Sequence, residues 1–131
     1  MLPSYVVTQT IARNWVDLYE TIWQPPFFSR WASGLSQGEM VAQGDRWKSR
    51  GPDGDVLIRF TDHNVYGIMD HYVGSGLGKE IYIPMRVIAN QLGAQVMITL
   101  FRDDLTSEAR FADDVAAVKR DLQTLNQLMT G

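Results

Sequence analysis

A chain of 131 residues, 45% hydrophobic and 21% charged, sets the default at one globular domain able to build its own core. It has no cysteine, which excludes disulfides, thiolate metal sites and cysteine nucleophiles and points to a reducing, cytoplasmic compartment. A net charge of −3 argues against a general binder of nucleic-acid backbones, and no stretch approaches the roughly 20 apolar residues of a membrane span, so stable membrane insertion is not expected.

The first residues show no basic segment followed by an apolar run, so no secretory signal is expected. Tyr5 to Ile11 alternates and is rich in β-branched residues, which predicts a first strand. Asn14 is a candidate helix cap, and Trp15, Leu18, Tyr19 and Ile22 follow at helical steps, ending before Pro25-Pro26. Pro26 to Trp31 reads as a second short helix closed by Ser33-Gly34. From Gln37 to Arg102 short strands are punctuated by turns: 39–43, 46–50, 56–60, 66–73, 80–89 and 95–101. Pro84 lies inside the fifth of these and cannot donate to a ladder, so a bulge or an edge is expected there.

The last segment, Thr106 to Met129, organises the rest. Phe111, Val115, Val118, Leu122, Leu125 and Met129 recur at steps of three and four, one face of a helix about 30–35 Å long. Thr106 is the candidate cap, and Asp121 falls with Arg110, Asp113, Asp114 and Arg120 on faces expected to stay wet. A coiled-coil seam has similar spacing, but Ala112 and Ala116 widen the face and flanking charge pairs are absent. On this reading Val118→Asp sets an unpaired charge under the helix and unfolds the domain. The element order is strand, two short helices, about six consecutive strands and a long helix. That is an α+β domain in which a curved antiparallel meander of about seven strands wraps the C-terminal helix.

Several short stretches sharpen this. They are Trp15-Val16-Asp17-Leu18, Trp31-Ala32-Ser33-Gly34, Gly44-Asp45-Arg46-Trp47, Asp70-His71, Pro84-Met85-Arg86-Val87 and Thr99-Leu100-Phe101-Arg102. With the element order, they make the chain resemble, over nearly its whole length, the START-like (SRPBCC) superfamily, in particular its polyketide cyclase/dehydrase and small lipid-binding members. The resemblance implies a helix-grip fold with an apolar cavity between sheet and helix. The superfamily includes carriers, cyclases, receptors and chaperone activators. The run Pro25-Pro26-Phe27-Phe28 is unusual against this pattern and bears on the cavity mouth.

Each apparent chemical motif has a plainer reading. Gly34-Leu35-Ser36-Gln37-Gly38 spells G-x-S-x-G, but a nucleophile elbow needs a strand before it and a helix after it, the reverse of the order here. Gly74-Ser75-Gly76-Leu77-Gly78-Lys79 lacks the spacing and following helix of a phosphate loop and reads as a hairpin loop. His63 and His71 are separated by eight strand residues, roughly 26 Å, too far for one metal. Arg46, Lys48 and Arg50 share a strand face and read as a solvated ribbon, not a nucleic-acid surface.

His71 shares its strand face with Gly67, Met69 and Val73. It is either a core histidine with a local partner or a titratable group in the cavity wall, available for ligand hydrogen bonding or proton transfer. Asp70 and Tyr82 are candidate helpers in such a transfer. Parity puts Arg86 outside, with Arg59 and Asp70, unless a bulge at Pro84 turns it inward to bind an anionic group. The expected cavity wall is Trp31, Trp47, Phe60, Met69, His71, Met85, Phe111 and Val115, with Arg86 conditional on that bulge. The leading expectation is binding or transport of a small hydrophobic molecule. The alternatives are a cyclase/dehydrase-type enzyme using His71 and a protein-interaction module of the chaperone-activator kind. No cofactor or metal is implied, and a homodimer stays open.

Overall fold

The structure is a computed structural model and describes residues 1–76 and 78–131. Strand β1 (Ser4–Ile11) leads into helix α1 (Trp15–Ile22) and a 3-10 helix (Pro25–Arg30). Seven strands follow: β2 (Val41–Gln43), β3 (Arg46–Gly51), β4 (Gly54–Phe60), β5 (His71–Gly74), β6 (Ile81–Ile83), β7 (Met85–Asn90) and β8 (Gly93–Phe101). Helix α2 (Glu108–Thr130) closes the chain. All pairings are antiparallel and fall into two ladders, β1-β8-β7 and β2-β3-β4-β5-β6. The expected α+β architecture is present, with eight strands against the seven or so expected.

Pro84 is where one ladder becomes two. Lacking an N–H, it ends β6, and the expected single strand over 80–89 breaks into β6 and β7. The two ladders remain stitched there. Pro84 O accepts from Thr99 N (3.0 Å), Met69 N donates to Met85 O (2.9 Å) and Val87 N donates to Gly67 O (2.9 Å). The result is a bent, almost continuous wall whose inner face carries Val7, Ile11, Ile58, Met85, Val87 and Val96, all buried.

The sequence pattern errs most between residues 66 and 70, which form no strand beyond a single bridge from Ile68 to Arg86. The Asn64 side chain explains this. Its Oδ1 accepts from Tyr66 N (2.9 Å) and Ile68 N (3.1 Å), while its Nδ2 donates to Ile68 O (2.9 Å) and Asp62 O (3.0 Å). A side chain that satisfies four backbone groups replaces the ladder those groups would otherwise join. The two prolines similarly remove donors at the start of the 25–30 segment, which is 3-10 and not α-helical.

Asn14 caps α1 as expected, accepting from Val16 N and Asp17 N (3.0 and 3.1 Å). The cap of α2 is Ser107, whose hydroxyl accepts from Arg110 N (3.0 Å). Thr106 is instead turned toward Asp103, donating to Oδ1 at 2.7 Å.

The apolar stripe of α2 divides in two. Leu122 and Leu125 are buried where the helix lies on β1 and β8, whereas Phe111 and Val118 are only half-buried. Asp121, expected to be wet, is buried with 6% exposure. It projects from the flank of the stripe toward the Ser33–Gly34 turn, where it accepts hydrogen bonds from both residues. No helix among the described residues is long and apolar enough to cross a membrane.

Candidate functional site

Beneath the N-terminal half of α2 lies a cavity of about 460 Å³, bordered by residues of both the helix and the sheet. Its roof is the helix side of Phe111, Ala117, Val118 and Asp121. One end is closed by Phe28, Trp31, Ala32 and Leu35, from the 3-10 helix and the turn after it. The sheet contributes Val56, His71, Val73, Ile83, Ile98 and Leu100. The mouth lies between the β3–β4 turn at 52–55, the start of the β5–β6 loop and residues 103–110 before and within α2. Arg110 spans that mouth, donating to Asp53 at 3.4 Å and to its helical neighbour Asp114 at 3.2 Å.

His71 is the polar centre of the sheet wall. It is 2% exposed, and Nδ1 lies 3.0 Å from Met69 O. A carbonyl only accepts, so Nδ1 carries the proton and Nε2 of the neutral ring carries a lone pair. Burial is the main influence on its pKa and lowers it; the Met69 carbonyl and Asp70 pull the other way by less. The ring is therefore neutral near pH 7. Its neighbours are aromatic: Phe28 edge-on at 5.3 Å and Phe60 tilted at 5.8 Å. Nε2 makes no hydrogen bond to a described residue and borders the cavity. Trp31 packs edge-on against the same Phe28 ring at 5.1 Å. Its Nε1–H is buried without an acceptor, an arrangement that ordinarily costs about 1–3 kcal/mol.

Asp121 is the polar group of the roof. Its Oδ2 accepts from Gly34 N (3.2 Å) and its Oδ1 from Ser33 Oγ (3.3 Å). Gly34 leaves room for it: a Cβ there would sit 3.0 Å from Oδ2. Burial pushes the carboxyl up to about 6 despite those hydrogen bonds and the nearby Arg120. A carboxyl whose folded pKa lies above its unfolded one holds its proton more tightly when folded. Its contribution is therefore lost as pH rises through about 6. Urea unfolding of wild type and Asp121→Asn checks this. The variant is expected to gain stability relative to wild type between pH 4 and pH 7, with the difference levelling off above that. A pH-independent difference would show the carboxyl to be unperturbed.

Of the wall expected from sequence, Trp31, His71 and Phe111 border the cavity. Phe60 stands behind His71, in contact with that ring but not with the space. Met69, Met85 and Val115 are buried in the surrounding core, and Trp47 is half-buried on β3; none of the four borders the cavity.

Arg86 stays on the outer face. It donates to Asp70, as does Tyr82 Oη (3.3 Å) and the Met85 amide (2.9 Å). The break at Pro84 does not turn Arg86 inward. Asp70 and Tyr82 are thus joined to each other and to Arg86, with Tyr82 reaching only the cavity rim. Neither hydrogen-bonds to His71, so the three are not assembled as a proton relay.

The remaining motifs resolve individually. Ser36 is buried and shares a hydrogen bond with Ser49 Oγ (2.6 Å), not with a histidine. His63 pairs with Glu20 (2.8 Å) and stacks on Tyr19. Arg46 and Lys48 are paired with Asp45 and Glu80, and with Asp55. Leu77, in the glycine-rich loop, lies outside the described residues.

The sequence reading placed Phe28 within the run at the cavity mouth but not in the wall, and it missed Asp121. Phe28 was legible as half of an apolar pair after two prolines. Asp121 carried no signal, because its neighbours on the helix put it on a polar flank.

No protein-family model and no curated protein matches the chain. Solved structures match its fold. XoxI from Bacillus cereus superposes with a TM-score of 0.76 at 12% identity, over 98% of this chain and 96% of that one. The Aha1 dimer from Colwellia psychrerythraea gives 0.76 at 11% identity, over 98% and 96%. DynU16, a protein of the dynemicin biosynthetic locus, gives 0.73 at 14% identity over 98% of this chain; the match spans 48% of DynU16.

A bent antiparallel wall closed over a long C-terminal helix, with a cavity between them, defines a helix-grip protein. The fold is that of the START-like (SRPBCC) superfamily.

Proposed function

We propose that the domain binds or transports a small hydrophobic ligand in the cavity beneath α2. The observation that carries this reading is the cavity itself. About 460 Å³ of space, walled mainly by apolar side chains, lies inside an otherwise packed domain. Protein interiors close such gaps unless something else fills them.

Native mass spectrometry of freshly purified protein tests the proposal by looking for a retained small molecule. Titration with an apolar fluorescent dye gives a second readout. Val118→Trp, which narrows the cavity from its roof, is expected to weaken dye binding more than about tenfold while the thermal transition persists. A dye that binds this variant as well as wild type would place its site elsewhere. Equally, a protein that retains nothing and binds no apolar dye would end the proposal.

A second reading, a cyclase/dehydrase-type enzyme, is favoured by one observation: the neutral imidazole of His71 presents an unprotonated Nε2 to the cavity. On that reading a ligand turns over at a pH-dependent rate that is lost in His71→Ala while affinity survives. A carrier shows no turnover with either protein.

A further inference from the structure

We propose that the cavity discriminates against negative charge: its guest is a largely apolar molecule bearing a hydroxyl that donates to His71 Nε2, and carboxylates are refused. This rests on the ligand-binding reading above and specifies the chemical class that the site accepts.

The first support is the direction of the hydrogen bond the wall offers. Nδ1–H is committed to Met69 O, so the group left facing the cavity is an acceptor. A hydroxyl satisfies it. A carboxylate opposes a lone pair with a negative charge unless the ring takes up a proton, and burial among Phe28, Phe60 and Met69 disfavours that. The Trp31 Nε1–H, packed against the same Phe28 ring, is a buried donor without an acceptor.

The second support is the charge around the cavity. Among the described residues that border it, the carboxylates are Asp121 inside and Asp53, Asp55, Asp103 and Asp114 toward the mouth. The cations are Arg110 and Lys79. Arg110 is held by Asp53 and Asp114, and Lys79 lies close enough to Asp103 to favour its ionised form. The arginine that could have bound an anion from within, Arg86, is on the outer face with Asp70. An anionic guest therefore crosses a rim of net negative charge and reaches an interior with no cation to receive it.

A cationic guest is a different case. Asp121 accepts from Ser33 and Gly34 but keeps further lone pairs, so the cavity holds a counter-charge for an ammonium and none for a carboxylate.

Four compounds sharing one apolar body test the proposal by isothermal titration near neutral pH: 2-naphthol, 2-methylnaphthalene, 2-naphthoate and 2-naphthylmethylammonium. One added hydrogen bond corresponds to roughly a three- to tenfold tighter Kd, so 2-naphthol is expected to exceed 2-methylnaphthalene by that factor. 2-Naphthoate is expected to bind at least about tenfold more weakly than 2-methylnaphthalene and more weakly than 2-naphthylmethylammonium.

His71→Phe should erase the advantage of 2-naphthol and leave the affinity for 2-methylnaphthalene in place. In case that variant does not fold, two further measurements keep the proposal open to refutation. His71→Gln can still accept and should retain part of the preference. In wild-type protein the nitrogen-15 resonance of His71 Nε2 should move on adding 2-naphthol and stay fixed with 2-methylnaphthalene. 2-Naphthoate binding as tightly as 2-naphthol, or an Nε2 resonance that ignores 2-naphthol, overturns the inference and leaves ligand binding standing. Failure of all four compounds to bind removes the ligand-binding reading and this inference together.

Discussion

Leu125→Asp is expected to abolish the cooperative thermal transition. Leu125 is fully buried where α2 lies on the wall of β1 and β8, and Leu122 beside it is 1% exposed. The substitution forfeits about 2 kcal/mol of apolar burial and sets a carboxylate in a dry interface without a partner, for a total of several kcal/mol. Domains of this size are stable by roughly 5–15 kcal/mol, so most of that margin disappears. Val118→Asp makes the contrast. The helical periodicity places Val118 on the same face, yet here it is half-buried and borders the cavity. Its carboxylate meets space in place of packed side chains, and the variant is expected to stay folded with a lowered Tm. Circular dichroism melts of the pair decide the matter. Equal losses would mean that the two halves of the helix are packed alike.

Gly67→Ala is expected to cost about 3 kcal/mol or more, read as a drop in the urea midpoint with an unchanged slope. Two features act together. Gly67 has φ +70°, a region that alanine avoids, and a Cβ there would collide with the Val87 carbonyl. The backbones are that close because Val87 N donates to Gly67 O at 2.9 Å, which ties the segment before β5 to β7. Relief requires that segment to part from β7. Gly44→Ala serves as a control: it too has positive φ (63°), but a Cβ there meets nothing within 4 Å. It should show only the conformational strain, about 1 kcal/mol. Were the two variants to lose the same stability, the close approach at Val87 would not be what makes Gly67 necessary.

Much of this architecture was legible because it depends on periodicity. The alternation in β1 and β8 and the steps of three and four in α2 survive any reasonable packing, and the fold follows from joining them. What escaped prediction depends on single side chains acting on the backbone. Asn64 holds residues 64–68 in a loop by four hydrogen bonds, so a stretch with strand-like composition never joins the ladder until His71. Ser107, and not Thr106, caps α2 because Asp103 claims the threonine hydroxyl.

The site was less legible still. Parity put His71 on one strand face with Met69 and Val73, but it could not tell space from core. Met69, Met85 and Val115 were therefore drawn into a wall that they only support. Whether an inward side chain meets a void depends on how far α2 stands off the sheet. Phe28 and Trp31 border that space and α2 rests on β1, long-range contacts that no local pattern encodes.

The position of Trp31 has a practical consequence. An indole sealed in an apolar wall should emit further to the blue than Trp15, Trp23 and Trp47, which are all half-buried. Any occupant that reaches Phe28 or supplies an oxygen to the idle Nε1–H will alter the energy of that excited state. The chamber thus contains its own lamp, and its filling can be followed by intrinsic emission without a label.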